Sequence, residues 1–135
     1  MVRKIAKEIL SALGSPDGEL SLSFVADPEM TALNQKYLSR PYSTDVLAFS
    51  MREGDFSEIS PHLLGDVVVS VEVAKKQADV HGYSLEEELC LLIIHGTLHL
   101  LGFEHETLGA QAREMRKKEK ELLSLVRAKL LQKSF

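Results

Sequence analysis

Ser84-Leu-Glu-Glu-Glu-Leu-Cys90-Leu-Leu-Ile-Ile-His95-Gly-Thr-Leu-His99-Leu-Leu-Gly102-Phe-Glu-His105 begins as a helix and ends as a turn. Ser84 followed by Glu87 is a capping-box signature, in which two side chains and two backbone N–H groups satisfy one another. The apolar run that opens at Leu85 predicts a helix to about Leu101. Gly102 then stops it, because glycine takes the left-handed conformation at a helix end without steric penalty.

Upstream, Gly65-Asp66 precedes Val67-Val68-Val69, three β-branched residues that predict a buried strand. A helix from about Val71 to Val80 follows and ends near His81-Gly82. Before that strand, Val46-Leu47-Ala48-Phe49 reads as a second short buried strand, and residues 51 to 63 as a polar loop or β-excursion. Ser39-Arg40-Pro41-Tyr42-Ser43 reads as a loop. Asp27 is a good N-cap, with Pro28 in the first helical position and Met30, Leu33, Asn34 and Tyr37 continuing a short helix. Leu20, Leu22 and Phe24 (or Val25) alternate with Ser21 and Ser23, a half-buried strand. Val2, Ile5, Ile9, Leu10 and Leu13 recur at helical spacing until Gly14-Ser15-Pro16-Asp17-Gly18. Downstream, an amphipathic helix spans roughly Leu108 to Leu131. The expected fold is therefore α+β, a single domain over residues 1–135, with a small mixed sheet of three to four strands packed with about five helices.

The composition fits this reading. Hydrophobic residues make up 44% of 135 and charged residues 27%, values of a globular chain with a core rather than a disordered one. The net charge of −4 would repel a polyanion, so a nucleic-acid substrate would need a local basic patch. The single cysteine, Cys90, lies in an apolar run and reads as a small buried hydrophobe. The first ten residues lack the continuous apolar stretch of a signal peptide, and no segment approaches the roughly 18 apolar residues that span a bilayer. A cytoplasmic location is expected.

His95 and His99, four apart on a helix, project from one face, so both imidazoles can reach one ion. A chain reversal at Gly102 brings His105 back towards them. Three neutral imidazoles suit a borderline-soft divalent ion, zinc first, and leave one coordination position open, the catalytic pattern. Cys90 lies about 140° around the helix from His95 and makes a poor fourth ligand. The spacing is that of the metzincin proteases, but those need glutamate directly after the first histidine as general base, and here that residue is Gly96. A peptidase or other small hydrolase is the alternative to a different metallohydrolase. Asp45 and Asp66 sit at expected strand starts and read as turn or cap residues; His62 and His81 receive no role. Arg113, Arg116, Lys117, Lys118 and Lys120 alternate with Glu114, Glu119 and Glu121, which reads as a solvated helix face.

With these residues in view the chain resembles the YbeY family of bacterial endoribonucleases. The family motif His-Gly-x-Leu-His-Leu-x-Gly-Tyr-Asp-His is matched by His95-Gly96-Thr97-Leu98-His99-Leu100-Leu101-Gly102-Phe103-Glu104-His105. Thr44-Asp45-Val46-Leu47-Ala48-Phe49 resembles a second block, and Gly65-Asp66-Val67-Val68-Val69 a third, over a resemblance from roughly Leu20 to Glu121. The resemblance implies one zinc ion per chain on His95, His99 and His105, at the C-terminal end of a central helix. It also implies cleavage of single-stranded RNA in ribosomal RNA maturation, at the 16S 3′ end on the small ribosomal subunit, and a part in ribosome quality control. Neither DNA nor membrane is expected as a partner. A non-catalytic ribosome-associated zinc protein is a third reading.

The chain departs from the family in three places. Members usually begin with a β-strand ahead of the first helix, and this sequence starts almost directly in that helix. Many carry a functional arginine just after the tyrosine of Asn-x-x-Tyr; here Asn34-Gln35-Lys36-Tyr37 is followed by Leu38. Arg40, two residues on, is the candidate to supply that guanidinium, and Lys36 a second candidate to hold phosphate. Glu104 stands for the motif aspartate and is the candidate to orient a ligand histidine or to act as acid/base.

Overall fold

The computed structural model describes residues 2–50, 62–102 and 109–131. In chain order they form α1 (Val2–Ala12), β1 (Glu19–Val25), α2 (Asp27–Leu38), β2 (Val46–Ser50), β3 (Leu63–Ser70), α3 (Val71–His81), α4 (Leu85–Leu100) and α5 (Ala110–Val126). A π-helical turn over Arg127–Leu131 continues α5. This is the expected α+β domain, with five α-helices and a three-stranded mixed sheet among the described residues.

The sheet order is β1-β3-β2, with β1 parallel and β2 antiparallel to β3. The central strand is the most apolar of the three because both of its faces are covered. Val67 and Val69 pack with Leu92 and Leu100 of α4 on one face, while Val68 packs with Met30 of α2 and with Leu47 on the other. β3 starts at Leu63, earlier than its valines suggest. Asp66 therefore lies inside the strand, opposite Phe49 of β2 and Ser21 of β1, and not at its start. The loop expected over 51 to 63 falls mostly outside the described residues; its end, Leu63, is strand. In β1 the predicted alternation holds for Leu20 and Leu22, and of the two candidates that follow Val25 is half-buried while Phe24 is exposed.

Helix α4 occupies the middle of the molecule. Its capping box forms as expected: the Glu87 N–H donates to Ser84 Oγ at 3.1 Å and the Ser84 N–H donates to Glu87 Oε1 at 2.9 Å. Arg127 Nε donates to the other oxygen, Glu87 Oε2, at 2.7 Å, tying the helix start to the end of the chain. These hydrogen bonds, that to the Ser84 backbone foremost, hold the Glu87 carboxyl below its ordinary range. Cys90, Ile93, Ile94 and Leu98 pack against Ile5 and Ile9 of α1 and Met115, Leu122 and Val126 of α5. The helix turns Leu92, Gly96 and Leu100, spaced four apart, to the sheet. At Gly96 the contact is closest: an added Cβ would lie 2.7 Å from Val67 Cγ1 and 3.3 Å from Val46 Cγ2. Only a glycine lets the helix lie this near the strands.

Two local expectations change. Asp27 is the first residue of α2 and Ala26 holds the cap position without a side-chain cap. The Asp27 carboxylate is engaged elsewhere, Oδ1 accepting from Ser43 Oγ and Ser70 Oγ at 3.1 Å each. The C-terminal helix begins at Ala110, and its last turn is π-helical. Asp45 behaves as a turn residue, accepting the Val46 N–H at 2.8 Å through Oδ1 and Gln77 Nε2 at 3.3 Å through Oδ2. Buried Asn34 holds the loop after α2, its Nδ2 donating to the Tyr42 carbonyl at 2.8 Å. Among the described residues no helix is long and apolar enough to cross a membrane.

Candidate metal centre

The residues of α4 that precede its sheet-facing positions lie about 100° to one side of them. His95 and His99 are on that side, away from α1, where α4 overlies the edge strand β2. Their Nε2 atoms face each other at 3.2 Å, with ring centroids 4.8 Å apart. Two nitrogens at about 2.0–2.1 Å from a tetrahedral zinc lie about 3.3 Å apart, so the pair already has the separation that such an ion requires.

The other nitrogen of His95 is also fixed. Its Nδ1 lies 2.6 Å from Glu119 Oε1, a carboxylate of α5. An ionised carboxylate only accepts, so Nδ1 carries the proton and the Nε2 lone pair is left facing His99. That is the arrangement in which a carboxylate orients a metal-binding imidazole and raises its basicity. The donor set therefore fits zinc.

Glu119 contradicts the reading of α5 as an alternating solvated face at this position. The signal lay in its spacing: Ala112, Met115, Leu122 and Val126 are the buried stripe of α5, and position 119 falls on it between Met115 and Leu122. A carboxylate on a core-facing stripe needs a partner, and His95 is that partner. The rest of the face fits the expectation, with Lys118 and Glu121 paired at 3.7 Å on the surface.

Gly102 ends the helix in a left-handed conformation, φ +95°, as its sequence position suggested. His105 and Glu104 lie outside the described residues. Arg40 is exposed in the loop after α2. Lys36 is exposed, its Nζ 5.2 Å from the Tyr37 ring centroid. Cys90 is fully buried, and desolvation pushes its thiol up to about 11. His81 pairs with the buried Glu88 at 2.7 Å.

Comparison with known proteins gives the family of the chain. The family described as Endoribonuclease YbeY matches residues 1–127. The endoribonuclease YbeY of Geobacter sulfurreducens is 43% identical over 126 residues, covering 93% of this chain and 84% of that protein. That of Aquifex aeolicus is 43% identical over 123 residues, covering 91% and 80%. A solution structure from Thermotoga maritima superposes with a TM-score of 0.68 at 27% identity, covering 97% of this chain and 82% of that one. On sequence and fold together, the chain belongs to the YbeY family of endoribonucleases, hydrolases that act on RNA.

Proposed function

We propose that the chain is a zinc-dependent endoribonuclease specific for single-stranded RNA, working in the cytoplasm on ribosomal RNA of the small subunit. Its tasks in this reading are 16S 3′ end maturation and ribosome quality control. The observation that carries the zinc assignment is the facing of His95 and His99 Nε2 at 3.2 Å, with the first ring locked by Glu119. His95, His99 and His105 would hold the ion, which when bound supplies Lewis acidity towards a phosphodiester.

The protein's own groups divide the remaining work. Glu119 keeps the Nδ1 proton of His95 in place, so the ring presents a lone pair rather than a donor. Arg40 and Lys36, both exposed after and within α2, are the groups to hold phosphate, and Glu104 the group to orient His105 or move a proton. Position 96 cannot carry the glutamate of a metzincin peptidase, because even a methyl group there meets Val67. RNA tolerates that loss better than a peptide does: its 2′-hydroxyl is an internal nucleophile, and the base need not sit on the helix.

Elemental analysis of the purified protein, with a cleavage assay on single- and double-stranded RNA, tests the proposal. About one zinc per chain and cleavage of the single strand alone are expected, with both metal and cleavage lost in His95→Ala. A folded wild type that cleaves RNA without metal would overturn the zinc mechanism.

A further inference from the structure

α2 covers only part of the sheet face opposite α4. Met30 closes the end where Leu47 pairs with Val68, but at the other end, where Phe49 pairs with Asp66, no helix among the described residues covers the surface. There Phe49, Asp66 and Val68 floor a cavity of about 410 Å³, with Leu33 and Tyr37 of α2 as its wall. The Tyr37 and Phe49 rings are 5.2 Å apart at 59°, and Tyr37 is 54% exposed. The Lys36 ammonium stands at the rim, 5.2 Å from the Tyr37 ring. The Asp66 carboxylate accepts no hydrogen bond and joins no ion pair among the described residues.

We propose that this pocket binds one base of the single-stranded RNA substrate, stacked against Tyr37 and Phe49 with an N–H edge turned to Asp66. The inference rests on the RNA-cleaving reading above and extends it to substrate selection. Exposed aromatic rings over a sheet are the means by which proteins hold unpaired bases, since every base has a π-face. A carboxylate inside such a pocket accepts from the amino groups of cytosine, adenine or guanine, and disfavours uracil, whose exocyclic groups are carbonyls. Lys36, and Arg40 just beyond the end of α2, set cations beside the pocket where the phosphates would run. In a chain of net charge −4 such a local patch is what lets a polyanion approach.

The position also suits the chemistry. Val46, three residues before Phe49 on β2, packs against Gly96, the neighbour of His95. Three residues of strand span about 10 Å. A base seated over Phe49 is therefore within a few nucleotides of the histidines, with the strand passing around the β2 edge.

The test is equilibrium binding of 2′-O-methyl oligonucleotides to the full-length zinc-loaded protein, followed by fluorescence anisotropy, with oligonucleotide integrity checked on gels. Wild type should bind a uridine tract carrying one cytidine or adenosine about tenfold more tightly than the plain tract. Tyr37→Ala, at an exposed position, should weaken binding about five- to a hundredfold, and an abasic site in place of the preferred base should abolish the difference between the two proteins. Asp66→Asn, which also offers a donor, should remove the discrimination against uracil while binding persists. If Tyr37→Ala binds like wild type, or loses the same factor on the abasic strand, the base pocket is wrong while the endoribonuclease reading stands. If wild type neither binds nor cleaves single-stranded RNA, both fall.

Discussion

Glu119 is half of the best-defined contact in the candidate metal centre, and its two possible losses separate its roles. Glutamine keeps an acceptor for the His95 Nδ1 proton but drops the charge; alanine drops both. Glu119→Ala is expected to lower zinc affinity about 10- to 100-fold, and Glu119→Gln by less, as read by competition with a chromophoric chelator at fixed pH. Unaltered affinity in Glu119→Ala would remove the carboxylate from the site. The histidines were legible because helical spacing is a local rule: four residues on, the same face returns. Glu119 was not, since its partner is 24 positions away and its own neighbours in sequence are surface charges. Only its place on the stripe of Met115 and Leu122 betrayed it.

At the scale of elements, the approach of α4 to the sheet sets where the histidines stand, and Gly96 sets that approach. Gly96→Ala pits two effects against each other. Alanine favours an isolated helix over glycine by about 1 kcal/mol. Against this, a Cβ 2.7 Å from Val67 Cγ1 forces overpacking that costs about 1–3 kcal/mol, because neither the strand nor the helix can retreat alone. The expected outcome is a net loss of about 1 kcal/mol in denaturant unfolding, recovered in part when Val67→Ala opens the space. A Gly96→Ala protein as stable as wild type would mean that the helix shifts freely over β3. The elements themselves were legible where a chemical marker stood at their ends, as with Ser84, Glu87 and Gly102. They were misplaced where the marker had another partner: Asp27 looks like a cap but serves Ser43 and Ser70, and Leu63 to Asp66 carry too little β-branching to announce a strand.

For the whole molecule, the order β1-β3-β2 was beyond the reach of sequence pattern, because pairing across 40 or so residues leaves no local trace. Yet that order exposes both the histidines and the proposed base pocket at the β2 edge, one on each face. The proposed metal centre would in turn bind separate parts of the chain together. His95 and His99 belong to α4, Glu119 reaches His95 from α5, and His105 comes three residues after Gly102 in sequence. An ion held by the three histidines would stabilise only the folded chain, since the unfolded one scatters its ligands. At a free zinc concentration a hundred times the dissociation constant, the linkage amounts to about 2.7 kcal/mol. For a domain of this size that corresponds to about 10 °C in Tm. Removal of zinc by a chelator should therefore lower the Tm of wild type by about that much, read by calorimetry, while His99→Ala melts at one temperature with or without the chelator. A wild-type Tm indifferent to chelation would mean that the histidines hold no resident ion, whatever their spacing.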